Sequence, residues 1–127
     1  MRPLPSTGVK HRVVLKLPDC TDAEIAVDET EHILDVALAA GIDVPYRCLQ
    51  GWCLTCAAQI LEGRIDQSDS RRYFPADRDE GFALPCTGRP ESDCVLRTRA
   101  RDDMRRARDE LGLPYPKDDW GSAPEDL

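Results

Sequence analysis

Cysteine is the residue in this chain whose number and spacing could do chemistry. The 127 residues hold six, at positions 20, 48, 53, 56, 86 and 94. Four residues separate Cys48 from Cys53, two separate Cys53 from Cys56, and 29 intervene before Cys86. A chain of this size can bury a core and does not need a disulfide framework to fold. In a reducing compartment, cysteines in such a cluster point to metal binding or catalysis. No nucleophile–base pair accompanies them. The two histidines, His11 and His32, fall in the first strand and at the start of the first helix, where both read as surface residues rather than ligands.

Three chemistries compete for the four thiols. The spacing C-x4-C-x2-C followed by a distant fourth Cys is one used to hold a [2Fe–2S] cluster, which takes two thiolates on each iron. Three cysteines within nine residues can wrap one side of such a cluster, and Cys86 follows a short apolar stretch that a sheet could hold rigid. Gly51 lies inside the loop, where a positive φ or a close approach suits glycine. Ala57 and Ala58 leave room beside it. A structural zinc site would use the same thiolates, but zinc favours two paired knuckles, and here the fourth ligand stands alone. A redox dithiol at Cys53-Leu54-Thr55-Cys56 would leave Cys48 and Cys86 unexplained, and no helix start follows the motif. The spacing therefore favours one [2Fe–2S] cluster on Cys48, Cys53, Cys56 and Cys86. Cys94 sits at a strand position and reads as a small buried hydrophobe; Cys20 follows Pro18-Asp19 and reads as a turn residue.

The elements that must position these thiols can be placed along the chain. His11–Leu17 alternates and is β-rich, and Glu24–Val27 forms a hairpin with it across Pro18-Asp19. Asp28 and Thr30 stand where a helix N-cap is wanted, Ile33 to Ala40 follow at helical spacing, and Gly41 ends the run. Ala57–Leu61 reads as a strand closed by Glu62-Gly63. Residues 66–80 read as loop with one short helical turn, and Cys94–Thr98 as the last strand. Asp102–Leu111 reads as a helix with Met104, Ala107 and Leu111 on one face, supported by acid–Arg pairs at i,i+3 and i,i+4. The predicted class is α+β: a mixed sheet with one main helix, plus a C-terminal helical extension. The predicted division is a flexible lead over 1–10, a body over 11–100, and an extension over 101–127 whose acidic end, after a helix at about 102–111, is loose.

Charge bears on partners. The formal net charge is −7. Phosphates repel such a surface, which disfavours nucleic acid and anionic membranes and favours a basic protein partner, although acids also simply keep a small protein in solution. The distribution is uneven: six Arg between Arg97 and Arg108 face only two acids. No run of about 18 apolar residues is long enough for a membrane helix. The N-terminus lacks the apolar stretch of a secretory signal. The expected location is the cytoplasm, or the plastid stroma if a transit peptide has been removed, and the expected state is a monomer.

Over roughly residues 11–100 the chain resembles the plant-type [2Fe–2S] ferredoxins. The resemblance runs through Ile42-Asp43-Val44-Pro45-Tyr46-Arg47-Cys48 and on through Leu49-Gln50-Gly51-Trp52-Cys53-Leu54-Thr55-Cys56-Ala57. It continues in Glu62-Gly63, Asp66-Gln67-Ser68-Asp69, Gly81-Phe82-Ala83-Leu84-Pro85-Cys86 and Arg89–Asp93. It implies a β-grasp fold and a soluble one-electron carrier, not an enzyme, that serves a reductase and acceptor enzymes. It implies that Cys48 and Cys53 share an outer iron, which takes the electron, and that Cys56 and Cys86 share an inner one. The implied reduction potential is about −400 mV. Four positions depart from the family: Leu49 where Arg is usual, Trp52 where a small residue is usual, Leu54 where Ser is usual, and Arg72 where an aromatic is usual. Apolar bulk and a lost hydroxyl near sulfur predict a potential at the low end of the range. Tyr73 and Phe74 are read either as a docking rim or as cover for the core edge. The Arg-rich stretch 97–108 replaces the family's acidic, aromatic end and puts its usual docking mode in doubt. A cluster-bearing sensor and an electron-input domain cut from a larger enzyme are the rival functions.

Overall fold

The computed structural model describes residues 9–46, 50–51 and 54–115. Arg47, Cys48, Leu49, Trp52 and Cys53 fall outside the described residues, as do the N-terminal lead and the acidic end beyond Tyr115.

Alternation builds the first hairpin. In β1 (Lys10–Lys16) Val13 and Leu15 point inward, and in β2 (Asp22–Asp28) Ile25 and Val27 do the same. Antiparallel pairing sets Val13 opposite Ile25 and Leu15 opposite Ala23, so that one face of the ribbon is apolar. Helix α1 (Ile33–Ala39) covers that face with Ile33, Leu34 and Ala37. The remaining elements are β3 (Ala58–Glu62), β4 (Ile65–Asp66), α2 (Pro75–Asp79), β5 (Phe82–Ala83), β6 (Arg89–Pro90), β7 (Cys94–Arg97) and α3 (Arg101–Leu111).

Five strands form one sheet in the order β2-β1-β7-β3-β5, and β4 pairs with β6 in a separate ribbon. The central β1–β7 pair is parallel, with Val13 opposite Cys94 and Leu15 opposite Leu96, while the flanking pairs are antiparallel. The register between β3 and β7 slips between Ile60 and Glu62, which turns Leu61 outward. A mixed sheet with one main helix against it is the β-grasp architecture that the resemblance implied.

Two local expectations are corrected. Neither Asp28 nor Thr30 caps α1. His32 occupies the N-cap position without a side-chain bond, and Asp28 instead accepts hydrogen bonds from the Thr30 amide and hydroxyl in a tight turn. The helix can start late because its first amides find partners elsewhere. The Ile33 amide donates to the Gly88 carbonyl and the Leu34 amide to the Pro85 carbonyl, each at 2.9 Å. The second correction concerns α3. Met104 is fully buried, as its helical face predicted, but Leu111 is exposed and Arg108, one turn beyond Met104, is buried in its place. The guanidinium can be buried because a carboxylate and two carbonyls receive it, as described below. The short strands β4 and β6 carry two residues each, too few to show alternation in the sequence.

Candidate metal centre

Cys56 and Cys86 are both buried, at 2% and 5% exposure. They belong to two loops that the sheet brings together, since β3 begins just after Cys56, β5 ends just before Cys86, and Ala58 pairs with Ala83. Cys56 lies in a turn closed by the Ala57 amide donating to the Leu54 carbonyl at 3.0 Å. Leu54 is fully buried and takes φ +65°, a left-handed conformation that a branched apolar residue adopts only when its surroundings impose it. Ala57 and Ala58 are fully buried, as small residues packed against a bulky neighbour would be.

Cys86 is held from two sides. On one side are the two α1 amides that bond Pro85 and Gly88. On the other is a polar network within the fold. Gln67, 4% exposed, donates from Nε2 to the Leu84 carbonyl (3.3 Å) and to Ser70 Oγ (2.8 Å), and its Oε1 accepts the Leu84 amide (2.8 Å). Ser70 Oγ lies 2.6 Å from Thr87 Oγ1, and the Thr87 and Gly88 amides donate to the Leu84 carbonyl. A buried amide satisfied at both ends fixes a backbone more firmly than an apolar contact, because any displacement strands a desolvated polar group. Outside this network, His32 Nε2 meets Asp69 Oδ2 at 2.7 Å, and Arg89 bonds Asp66 Oδ2 at 3.1 Å with Asp69 in ionic contact at 3.3 Å. Hydrogen bonds from Ser68 hold the Asp66 carboxyl below its usual range, with the Arg89 cation adding to the effect.

The loop between Cys48 and Cys53 is anchored at its middle. Arg71 donates its amide to the Gln50 carbonyl (2.7 Å) and its Nη1 to Gln50 Oε1 (2.9 Å), and the Arg72 amide donates to the Gly51 carbonyl (3.2 Å). Gly51 has φ +74°, and a Cβ there would stand 2.6 Å from Thr87 Oγ1 and 2.8 Å from the Ser70 Cα. Glycine is thus required on both counts, conformation and space, and the same Ser70–Thr87 pair that supports Cys86 also cradles the cysteine loop.

The donor chemistry suits a cluster. Two thiols are buried on loops at the ends of one strand pair, and the loop between Cys48 and Cys53 is anchored at Gln50 and Gly51. Among the described residues no group of three His, Cys, Asp or Glu side chains could hold a metal ion; Cys48 and Cys53 lie outside them. Cys20 is exposed at the hairpin turn and Cys94 is buried in β7, with Sγ 3.1 Å from the Ser92 carbonyl and 3.4 Å from that of Arg64. Burial pushes the Cys94 thiol pKa up, which suits a packed, protonated side chain. Tyr73 and Phe74 cover the core edge: the Tyr73 hydroxyl donates to the Phe82 carbonyl, and Phe74 lies beneath the Arg108 guanidinium. His11 pairs with Glu29 at 2.9 Å and lies on the same face of β1 as Val13 and Leu15, partly buried at its edge rather than on the outer surface that the sequence suggested. Gln67, Ser70 and Thr87 carried no ligand signal, although Asp66–Asp69 belongs to the resemblance; Arg108 looked like any other tail arginine.

Comparison with known proteins agrees with this geometry. Residues 17–91 match the 2Fe-2S iron-sulfur cluster binding domain. The chain is 34% identical over 99 residues to the chloroplastic ferredoxin-6 of Zea mays, covering 78% of this chain and 64% of that one. It is 42% identical over 77 residues to ferredoxin-2 of a Synechococcus strain, covering 61% and 73%. Among solved structures, pectocin M2 superposes with a TM-score of 0.69 at 30% identity, over 83% of this chain and 40% of that one. The Amycolatopsis cytochrome P450 reductase GcoB superposes at 0.60 and 27% identity, over 69% and 26%. A matched domain that takes in Cys48, Cys53, Cys56 and Cys86, on a β-grasp sheet that buries Cys56 and Cys86, leaves one conclusion: the chain belongs to the [2Fe–2S] ferredoxin family.

Proposed function

We propose that Cys48, Cys53, Cys56 and Cys86 are the four cluster ligands, with Cys48 and Cys53 on an outer iron and Cys56 and Cys86 on an inner one. The observation that carries this reading is the burial of Cys56 and Cys86 on loops fixed by the same strand pair and the same Ser70–Thr87 contact. When bound, the cluster supplies a one-electron couple near about −400 mV. The chain's own residues set its surroundings. Leu54 and Ala57 exclude water from the inner side, and the Gln67 network holds the Cys86 backbone still. Replacement of the family's usual hydroxyl by buried Leu54 favours a potential below that norm.

The chain works with redox protein partners: a reductase that loads it and an acceptor enzyme that it feeds. Its net charge of −7 favours a basic partner face and disfavours nucleic acid and anionic membranes. No helix among the described residues is long and apolar enough to cross a membrane. We place the carrier as a monomer in the cytoplasm or a plastid stroma, with the cluster unit over 11–100, a lead over 1–10 and an extension over 101–127. Serine substitution tests the ligand set. Each of Cys48, Cys53, Cys56 and Cys86 changed to Ser should lose or markedly alter the visible absorption of the cluster, while Cys20→Ser and Cys94→Ser should keep it. An unchanged spectrum in any of the first four would remove that residue from the set.

A further inference from the structure

Helix α3 touches the cluster-bearing part of the fold at both of its ends. At its start, the Ala100 amide donates to the carbonyl of Ala57, the residue after Cys56, at 2.9 Å. Near its end, Arg108 is fully buried. Its Nε and Nη2 donate to the two carboxylate oxygens of Asp77 at 3.2 and 2.8 Å, and Nη1 donates to the Pro114 carbonyl at 2.9 Å. Nη2 also donates to the carbonyl of Arg72 at 3.0 Å. Its guanidinium carbon stands 4.9 Å from the centre of the Phe74 ring. The segment that receives Arg108 is the one that holds the cysteine loop. The Arg71 and Arg72 amides bond Gln50 and Gly51, and the Phe74 amide bonds Asp77 Oδ2 at 2.8 Å.

We propose that Arg108 is a positioning residue for the cluster loop, acting through the Arg72 carbonyl; this rests on the ligand set proposed above. Stability alone does not call for an arginine here. A buried ion pair roughly breaks even against well-packed apolar residues of the same volume. An apolar residue cannot, however, donate to the Arg72 carbonyl. The forked guanidinium can span that carbonyl and both Asp77 oxygens at once, which an ammonium cannot. Held by Asp77, the fork sets where residues 71 and 72 lie, and those residues set where Gln50 and Gly51 lie between Cys48 and Cys53.

The test uses the full-length holoprotein carrying Asp77→Asn together with Arg108→Met. The pair leaves no unmatched buried charge, and Asn keeps an acceptor for the Phe74 amide. Expected are a folded protein, cluster loss to an iron chelator about tenfold faster, consistent with one lost hydrogen bond to a charged donor, a changed EPR line shape in the reduced state, and faster hydrogen exchange at the Arg71 and Arg72 amides. Met104→Ala is the control, because Met104 is fully buried on the same helix and its truncation leaves the Arg108 bond to the Arg72 carbonyl in place; it should lower global stability without moving the line shape or those two amides. Parental values for the double variant, or the same pattern from Met104→Ala, would overturn the proposal. Should the double variant not fold, Arg108→Lys takes its place. An intermediate acceleration, about threefold, is then expected, as the ammonium keeps the charge and loses the span; parental behaviour overturns the proposal here too. A parent chain without a [2Fe–2S] spectrum would instead refute the ligand set, and exchange at residues 71 and 72 would still decide what Arg108 holds in place.

Discussion

Gly51→Ala and Gly41→Ala form a matched pair that separates conformation from space. Both glycines have positive φ, +74° at Gly51 and +78° at Gly41. A Cβ at Gly41 meets nothing within 4 Å, so its substitution costs only the left-handed conformation, about 1–2 kcal/mol. A Cβ at Gly51 meets Thr87 Oγ1 at 2.6 Å, Ser70 Cβ at 2.7 Å and Ser70 Cα at 2.8 Å. The last of these is backbone and cannot swing aside. Crowding of this kind adds about 1–3 kcal/mol, giving roughly 2–5 kcal/mol in all for Gly51→Ala. Chemical denaturation of the two variants and the parent, followed by far-UV circular dichroism, measures the difference. The cluster gives a second readout, since moving Ser70 and Thr87 disturbs the support of Cys86 as well as the cysteine loop. Gly51→Ala should therefore lose the visible cluster bands sooner than Gly41→Ala on heating. Equal costs for the two variants would refute the close packing of the loop against Ser70 and Thr87.

Three further outcomes are expected. Gln67→Leu strands the Leu84 amide and weakens the Ser70–Thr87 support, so stability should fall by about 2–3 kcal/mol, measured by urea unfolding, with earlier cluster loss. Tyr73 has its pKa pushed up to about 12 by burial first and the Asp77 charge second. A pKa raised on folding means that the stabilisation is complete below the unfolded value of about 10 and is lost as pH rises through 12; after allowance for partial exposure this is of order 1–2 kcal/mol, absent in Tyr73→Phe and read by unfolding at pH 9 and pH 12. Leu54→Ser restores a hydroxyl beside Cys56, so redox titration should find a midpoint potential above the parent's, and an unchanged potential would remove Leu54 from the account of its tuning.

The sequence showed the parts of this molecule that follow from local pattern. Val13 and Leu15 alternate, Ile33, Leu34 and Ala37 recur at helical spacing, and the four cysteines carry a spacing with one favoured chemistry. It hid what depends on tertiary partners. His32 begins α1 because carbonyls at Pro85 and Gly88 take the first amides, and those residues lie more than fifty positions away. Gln67 and Thr87 look like ordinary polar loop residues until the sheet brings them around Leu84 and Ser70. Arg108 belongs to a run of arginines that reads as solvated, and only the fold sets Asp77 opposite it. Leu111 has the right spacing for the apolar face of α3, but it lies in the helix's last turn, where Arg108 takes the inward place.

The most direct test is the EPR spectrum of the dithionite-reduced protein together with iron and sulfide analysis of the same sample. A single cluster on four thiolates predicts about two irons and two sulfides per chain, visible bands that bleach on reduction, and a rhombic signal with an average g below that of the free electron. A colourless protein that binds one zinc and gives no such signal would contradict the account.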